Sequence, residues 1–382
     1  WTDIVEKAIA FRHELHQNPE LTWAEVDTAR RIRKQLDGAG IPWRACAETG
    51  TVATLAPERP GPHIALRGDI DALPITEATN SPWASVNSGC MHACGHDGHT
   101  ATLLATACWL NRNESDLPGP VSLLFQPAEE GGHGAKRMIE EGALDGVDEI
   151  YGWHNWPAIP FGKAVCPVGP VMAANGTFAI TVRGEGGHAS QPELCRDPVL
   201  AASAITLAIQ QIVSRRVPPQ QAAVISVTSI NAPSFDTAIP KEARMGGSIR
   251  ISDSAMRPMV EQAIIQTAED TARAYGVEAE VAMRPRYGAT INHPEPAAKF
   301  QRVLAAVLGE TWCGEDVLLP VMASEDFSYY LQAIPGAFAL IGANDGPSHA
   351  YPCHSDKYDF NDALILPVIR TFSQLVGIRM PG

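Results

Sequence analysis

The stretch Thr177-Phe-Ala-Ile-Thr-Val-Arg183 has apolar residues at alternate positions, which is typical of a half-buried strand. It begins a segment of about 110 residues that is predicted to contain, in order, a helix, two strands, a second helix and a last strand. These elements are predicted at residues 197–213, 223–230, 243–251, 255–275 and 277–284. The order strand-helix-strand-strand-helix-strand is that of a ferredoxin-like unit. We therefore predict that this segment forms a small domain of its own.

Outside that segment, short apolar runs alternate with amphipathic helices, which predicts an α/β fold with a parallel or mixed sheet. The predicted strands lie at 51–55, 63–67, 121–126, 149–153 and 337–341, and the predicted helices at 3–16, 25–36, 99–110, 297–308 and 361–378. Proline-rich stretches at 167–170 and 293–296 are expected to be hinges. A larger α/β domain, formed by residues 1–174 and 291–382, is therefore predicted to be interrupted by the ferredoxin-like domain at 175–290.

The composition excludes several classes of protein. The chain has 382 residues, 29 Lys and Arg, 43 Asp and Glu, and a formal net charge of −14. This acidic balance argues against nucleic acid as a partner. No apolar run is long enough to cross a membrane, and the first residues lack the basic-then-apolar pattern of a secretion signal, so we predict a cytoplasmic protein without a membrane partner. In such a chain the eight cysteines are expected to be thiols, with a metal or catalytic role open to some of them.

Residues with metal-binding side chains cluster where predicted strands end. The clusters lie at 67–74, 91–99, 126–132 and 152–157, and a further one lies at 353–356. Thiolate, imidazole and carboxylate are the ligands that zinc and its first-row neighbours take in proteins. Cys94 and His96 are separated by one residue, so both can reach one metal from a loop. Asp71 is a candidate to orient a ligand histidine through a hydrogen bond.

The pair Glu129-Glu130 suggests a division of labour. In extended backbone the two carboxylates point to opposite sides, so one can bind metal while the other stays free as a base. Metal-assisted hydrolysis requires both roles. A pair of glutamates is more often a solvated surface, but this one follows the apolar strand 121–125 and precedes Gly131-Gly132. A catalytically silent metal carrier is the alternative, against which the spare carboxylate argues.

Taken together, the motifs resemble those of a known family along nearly the whole chain. They lie at Arg12–Leu21, Asp69–Pro74, Met91–His99, Phe125–Gly131, Gly187–Ser190, Ser324–Phe327 and His354–Asn361. The chain resembles the co-catalytic metallo-aminoacylase and carboxypeptidase family. Within it, the chain is similar to the amidohydrolase branch of hippurate hydrolase, auxin-conjugate hydrolases and N-acetyl-diaminopimelate deacetylase.

This resemblance implies a catalytic α/β domain and an inserted lid through which the chain forms a homodimer or higher oligomer. It implies two divalent metal ions per subunit, with zinc or manganese expected and cobalt or nickel as alternatives. The implied metal ligands are Cys94, His96, Glu130, His154 and His354. The resemblance further implies that Glu129 is the general base, that His188 of the lid helps to hold the oxyanion, and that Arg250 binds the substrate carboxylate.

The implied reaction is hydrolysis of the amide of a small N-acyl amino acid, with metal-activated water and release of the acyl group, expected to be acetyl. The chain departs from the family pattern at Glu193, an added acid in the turn after His188. Such an acid is more often a solvated turn carboxylate, and the alternative is a contact with a substrate that has a basic side chain. Residues 190–198 are similar to deacetylases of ectoine breakdown, which suggests N-acetyl-2,4-diaminobutyrate as substrate. A dipeptidase or carboxypeptidase of the same family is the alternative activity.

Overall fold

The computed structural model describes residues 1–314 and 316–381, which divide into two compact units. The first unit comprises Trp1–Val171, Ile291–Leu318 and the C-terminal part from Asp326. The second comprises Met172–Thr290 and Leu319–Glu325. Residues 319–325, which the sequence predicts to be part of the larger domain, group with the second unit in the structure.

The strands and helices are numbered in chain order. The strands are β1 Trp43–Cys46, β2 Gly50–Leu55, β3 Ile64–Asp69, β4 Val121–Gln126, β5 Glu149–Pro160, β6 Ala164–Val165, β7 Gly169–Met172, β8 Ala174–Arg183, β9 Gly187–His188, β10 Ala223–Asn231, β11 Ala238–Ile239, β12 Glu242–Ile251, β13 Glu278–Pro285, β14 Thr290–Asn292 and β15 Gly336–Asn344. The helices are α1 Thr2–Gln17, α2 Val26–Gly38, α3 His96–Arg112, α4 Gly134–Glu140, α5 Pro198–Arg215, α6 Arg257–Ala274, α7 Pro294–Leu308, α8 Ser328–Ala333 and α9 Ile365–Leu375.

The first unit contains a seven-stranded mixed sheet in the order β1-β2-β4-β3-β5-β15-β6. Its centre is parallel: β3 pairs with β4 and with β5, and β5 pairs with β15. Every residue of β3 and β4 is buried, as expected of central strands that are covered on both faces. The mixed α/β sheet predicted from the sequence is confirmed.

Helices α1, α3 and α9 pack together in the core of this unit. Helix α3 is buried along most of its length, and the polar residues of its first turn, His96, Asp97 and His99, are buried with it. The predicted helix at 361–378 is shorter in the structure. Asn361 caps a 3₁₀ turn at Asp362–Leu364, and Gly377, at φ +90°, follows the end of α9.

The second unit has a four-stranded antiparallel sheet in the order β10-β12-β8-β13, with α5 and α6 packed together. Its six elements follow the predicted order, and their ends lie within about three residues of the predicted ones. The two helices bury apolar residues that recur every three to four positions, at Ile205, Ile209, Val260 and Ile264.

None of the helices in the described part of the chain combines the length and apolarity needed to span a membrane.

Candidate active site

The carboxyl ends of three neighbouring strands carry the acidic and histidine side chains of the site. Asp69 ends β3, Glu129 follows the end of β4 by three residues, and His154 lies within β5. Because β4, β3 and β5 are adjacent and parallel, these positions lie at the same edge of the sheet. The sheet therefore assembles residues that are far apart in sequence.

The loop before α3 and the first residue of that helix bring two further side chains to this edge. Gly95 caps α3 in the left-handed region, at φ +92°, where a side chain is strained. A Cβ atom there would also collide with the side chains of Asn155 and Tyr358. This close approach allows Cys94 and His96, on either side of the glycine, to lie beside β5.

Two groups of donor atoms share the thiol of Cys94. In one group, Cys94 Sγ and donor atoms of His96 and His154 lie within 4.8 Å of one another, and in the other the partners are Glu130 and His354. Cys94 Sγ lies 3.3 Å from His154 Nε2, and Glu130 Oε1 lies 3.1 Å from His354 Nε2. The structure thus brings together all five side chains that the sequence proposes as metal ligands.

His96 offers a nitrogen that forms no hydrogen bond in the described part of the chain. The imidazole is fully buried, and its Nε2 has no hydrogen-bond partner among residues 1–314 and 316–381. Its other nitrogen, Nδ1, lies 3.2 Å from Asp71 Oδ1. When Nδ1 donates its hydrogen to this carboxylate, the lone pair of Nε2 points into the cluster. A buried nitrogen without a partner costs free energy, so the site fits a metal ion at this position.

The charges of the cluster also favour a cation. Burial alone would lower the pKa of His96, but the carboxylates of Asp69, Asp71 and Glu130 outweigh it and raise the pKa to about 10. The hydrogen bond with Cys353, burial and Glu130 together raise the pKa of the Cys94 thiol well above its usual value. A bound divalent cation would supply positive charge and favour the thiolate.

The turn that carries Glu129 and Glu130 differs from the expectation. The extended backbone expected there is wrong: both residues lie in a turn, preceded by Ala128 at φ +55°. The amides of Glu129 and Glu130 donate to the two oxygens of Asp71, at 3.1 and 3.0 Å. As a result the two carboxylates do not diverge, and oxygens of both lie within 4.8 Å of each other and of a His96 nitrogen. Glu129 is nonetheless distinguished by its own contact, since Oε1 accepts the amide of Asp326 at 3.2 Å.

The two remaining predicted site residues belong to the second unit and not to this cluster. His188, in β9, is exposed, and its Nδ1 lies 2.7 Å from Ser190 Oγ. Arg250, near the end of β12, is half-buried and donates to Ser324 Oγ at 2.8 Å. Burial, together with the nearby Arg286, lowers the pKa of the Arg250 guanidinium.

A buried network beside the cluster consists of residues for which the sequence predicts no individual role. Asp69 accepts from Arg67 and lies next to His99 Nδ1, both at 2.6 Å, and Arg67 also reaches Asp326 at 3.1 Å. Although burial alone would raise the pKa of Asp69, Arg67 and the two histidines hold it well below the usual value. The position of Asp69 at a strand end was a signal in the sequence. Asp326, 257 residues further along, lies in the motif Ser324–Phe327, but that motif alone does not predict the contact with Arg67.

A second buried ion pair supports α3 directly behind His96. Asp97 Oδ2 lies 2.8 Å from His16 Nδ1 and 3.6 Å from an Arg12 nitrogen, and all three side chains are buried. Burial lowers the pKa of His16, but the charge of Asp97 and hydrogen bonds with it and Glu77 raise the pKa to about 9. His16 is therefore protonated over the neutral range.

We expect this pair to make stability depend on pH. Because the folded pKa of His16 is raised above the unfolded value of about 6.5, its contribution is complete below that pH and is lost as the pH rises through about 9. The contribution amounts to about 3 kcal/mol. Thermal melts of wild type and His16→Gln should differ most at pH 6 and converge by pH 10. His349→Gln, which removes a partly exposed histidine beside Asp345, is the control. A pH-independent difference would contradict the assignment.

The mixed α/β sheet, with a cluster of buried and partly exposed Cys, His and carboxylate donors at its carboxyl edge, is the arrangement of a metal-dependent hydrolase. Residues 65–377 match Peptidase family M20/M25/M40. The chain belongs to this family and is a metal-dependent amidohydrolase.

Similar proteins span almost the whole chain. It is 40% identical to N-acetyl-L-cysteine deacetylase of Bacillus subtilis (strain 168), over 91% of this chain and 83% of that protein. It is 36% identical to hippurate hydrolase of Campylobacter jejuni, over 95% and 94% of the two chains. A solved structure of a dinuclear metal-binding peptidase of the M20 family from Bacillus subtilis matches with a TM-score of 0.85 at 32% identity, covering 98% of both chains. The family resemblance inferred from the motifs is confirmed.

Proposed function

We propose that this chain removes the acyl group, in the first place acetyl, from a small N-acyl amino acid. The observation that carries the proposal is the donor cluster around His96 Nε2, which has no hydrogen-bond partner within residues 1–314 and 316–381, with a second carboxylate, Glu129, facing the same centre. The relatives named as N-acetyl-L-cysteine deacetylase and hippurate hydrolase support the choice of substrate class.

Cys94, His96, Glu130, His154 and His354 would hold the metal ions in this proposal. Two divalent ions supply Lewis acidity and lower the pKa of water. The solved relative described as dinuclear supports the number of ions, and zinc or manganese remains the expected metal, with cobalt or nickel as alternatives. Asp71 keeps His96 in the tautomer whose Nε2 faces the cluster.

Glu129 is the proposed general base. Its carboxylate takes a proton from the attacking water and later delivers it to the departing amine, which is otherwise a poor leaving group. The hydrogen bond from the Asp326 amide fixes one of its oxygens beside the cluster. Thus a single buried residue serves both halves of the reaction.

The second unit is proposed to act as the lid and dimerisation domain, with residues 175–290 as its extent. His188 would hold the oxyanion and Arg250 the substrate carboxylate. Strand β10 is an edge strand of its sheet and exposes Val224 and Ile230, while α5 exposes Leu207 to 77%. This uncovered edge supports a homodimer or higher oligomer, which analytical ultracentrifugation tests; a monomer at micromolar concentration would contradict it.

The finer proposal for the substrate is N-acetyl-2,4-diaminobutyrate. Glu193 lies in an exposed 3₁₀ turn of the second unit, a few residues after His188. In the proposed lid, this carboxylate would favour a substrate with a basic side chain. The free state of all eight cysteines agrees with the expected cytoplasmic location, which stays a prediction.

A panel of substrates tests the proposed function. Metal-loaded protein is assayed for release of free amine from N-acetyl-2,4-diaminobutyrate, neutral N-acetyl amino acids, hippurate and dipeptides. We expect acetyl amino acids to be turned over at least ~10-fold faster, by kcat/KM, than dipeptides. Faster cleavage of dipeptides would favour the peptidase alternative, which the solved relative described as a peptidase also suggests. A Glu193→Gln variant should lose only its preference for the basic substrate and should keep its kcat/KM for neutral N-acetyl amino acids. If the metal-loaded protein hydrolyses none of these amides, the alternative that the chain is a catalytically silent metal carrier is favoured.

A further inference from the structure

Glu25 is a buried carboxylate that the reaction proposed above leaves without a role. It directly precedes α2 and is 0% exposed. Its Oε1 accepts the backbone amides of Trp23 and Ala128, at 3.0 and 2.9 Å, and its Oε2 accepts Thr49 Oγ1 at 2.7 Å. Within the described ranges, no lysine or arginine forms an ion pair with it. Burial of a carboxylate costs free energy, and the three hydrogen bonds of Glu25 offset this cost.

Ala128 connects Glu25 to the turn of the site. Its φ of +55° is in the left-handed region, which residues other than glycine seldom adopt and which costs free energy. The next two amides, of Glu129 and Glu130, donate to Asp71. Three successive backbone amides therefore donate hydrogen bonds to two buried carboxylates. One is that of Glu25, just before α2, and the other is that of Asp71, just beyond β3. Since the turn is strained, it persists only where such contacts hold it.

We propose that Glu25 is a positioning residue, which acts through the amide of Ala128 to hold the turn in which Glu129 faces the cluster. This inference rests on the proposed function, in which Glu129 is the base. If the Glu25 oxygens are removed, the Ala128 amide becomes a buried donor without its partner, and the backbone relaxes away from its strained conformation. A shift of about 1 Å at a catalytic group can reduce the rate ~10²-fold, so the effect should fall on kcat.

Three variants separate positioning from simple loss of stability. Glu25→Met keeps the length of the side chain but removes both acceptor oxygens. Glu25→Gln keeps an oxygen for the Ala128 amide and places an NH₂ group beside the Thr49 hydroxyl, which can accept from it. Glu20→Met is the matched control, because the Glu20 carboxylate accepts the amides of Asp27 and Thr28 in the same helix and does not contact the turn. Each is measured for kcat, KM, metal content, Tm and, in metal-free protein, hydrogen exchange of the peptide spanning 127–134.

We expect Glu25→Met to lower kcat at least ~10-fold with KM within ~2-fold, and to speed exchange of the turn peptide at least ~10-fold. Glu25→Gln should keep at least about half of the wild-type kcat, and Glu20→Met should lower only Tm. The proposal is overturned if Glu25→Met has wild-type kcat, if Glu25→Gln loses as much as the methionine variant, or if Glu20→Met loses as much kcat at equal Tm.

Should Glu25→Met fail to fold, Thr49→Val removes one of the three contacts of Glu25 and carries the same measurements. Its kcat should fall ~2- to 3-fold with faster exchange of the turn peptide, and unchanged values of both would overturn the proposal. If the wild-type chain hydrolyses no N-acyl amino acid, the proposed function fails. In that case the exchange of the turn peptide still decides whether Glu25 holds it.

Discussion

Replacing Glu129 by glutamine or alanine is expected to lower kcat by ~10²-fold or more while the metal content stays that of the wild type. The glutamine variant is the sharper of the two, since its amide oxygen can still accept the hydrogen bond of the Asp326 amide. What it loses is the ability to take up a proton from water and return it to the amine. Metal analysis and steady-state kinetics on the same preparation measure both properties.

Glu149→Gln is the matched control for this prediction. Glu149 begins β5, the strand that carries His154, and it pairs with Lys299 at 2.9 Å away from the carboxyl edge of the sheet. The same chemical change there should leave kcat within ~2-fold of wild type. Near-normal turnover of Glu129→Gln would show that the base is another residue, and loss of metal in this variant would place Glu129 among the ligands.

Replacing Cys94 by alanine is expected to have the largest effect on metal binding, because its thiol belongs to both donor groups. We expect the content of both metal ions to fall and the affinity to drop at least ~10- to 100-fold. His154→Ala, by contrast, removes a member of one group only and should spare the other ion. Equilibrium dialysis followed by metal analysis measures these losses.

Cys166→Ala provides the control for the cysteine change. Cys166 is also buried, at 2% exposure, and burial raises the pKa of its thiol, but it belongs to neither donor group. This variant should lose stability through the removed sulfur and keep its metal. If Cys94→Ala binds metal as the wild type does, then Cys94 is a packing thiol and the sharing of one ligand by two donor groups is wrong.

The parts of the fold that local patterns encode could be predicted from the sequence. The second unit is the best example, since β8 alternates apolar and polar residues and α5 and α6 bury residues at helical spacing. The central strands β3 and β4 could also be predicted, because each is a short apolar run. Short elements such as β6 and α4 were missed, because two to seven residues carry too little periodic signal.

The geometry of the site depends on contacts that no local pattern contains. The residues of the donor cluster could be named because each stands in a recognisable motif. The turn at 128–130 could not be predicted, because its backbone is set by Glu25, 103 residues away from Ala128, and by Asp71. The same holds for the contact of Glu129 with Asp326, which joins parts of the chain 197 residues apart. Tertiary hydrogen bonds override the extended conformation that the strand before them suggests.

The most direct test of the account is release of free amine from an N-acetyl amino acid library as a function of bound metal. The protein is stripped with a chelator and then reloaded separately with zinc, manganese, cobalt or nickel. We predict that stripping reduces the rate at least ~10²-fold, that at least one of these metals restores it, and that the restored rate saturates at two ions per chain. Undiminished amine release by the stripped, metal-free chain would contradict the account.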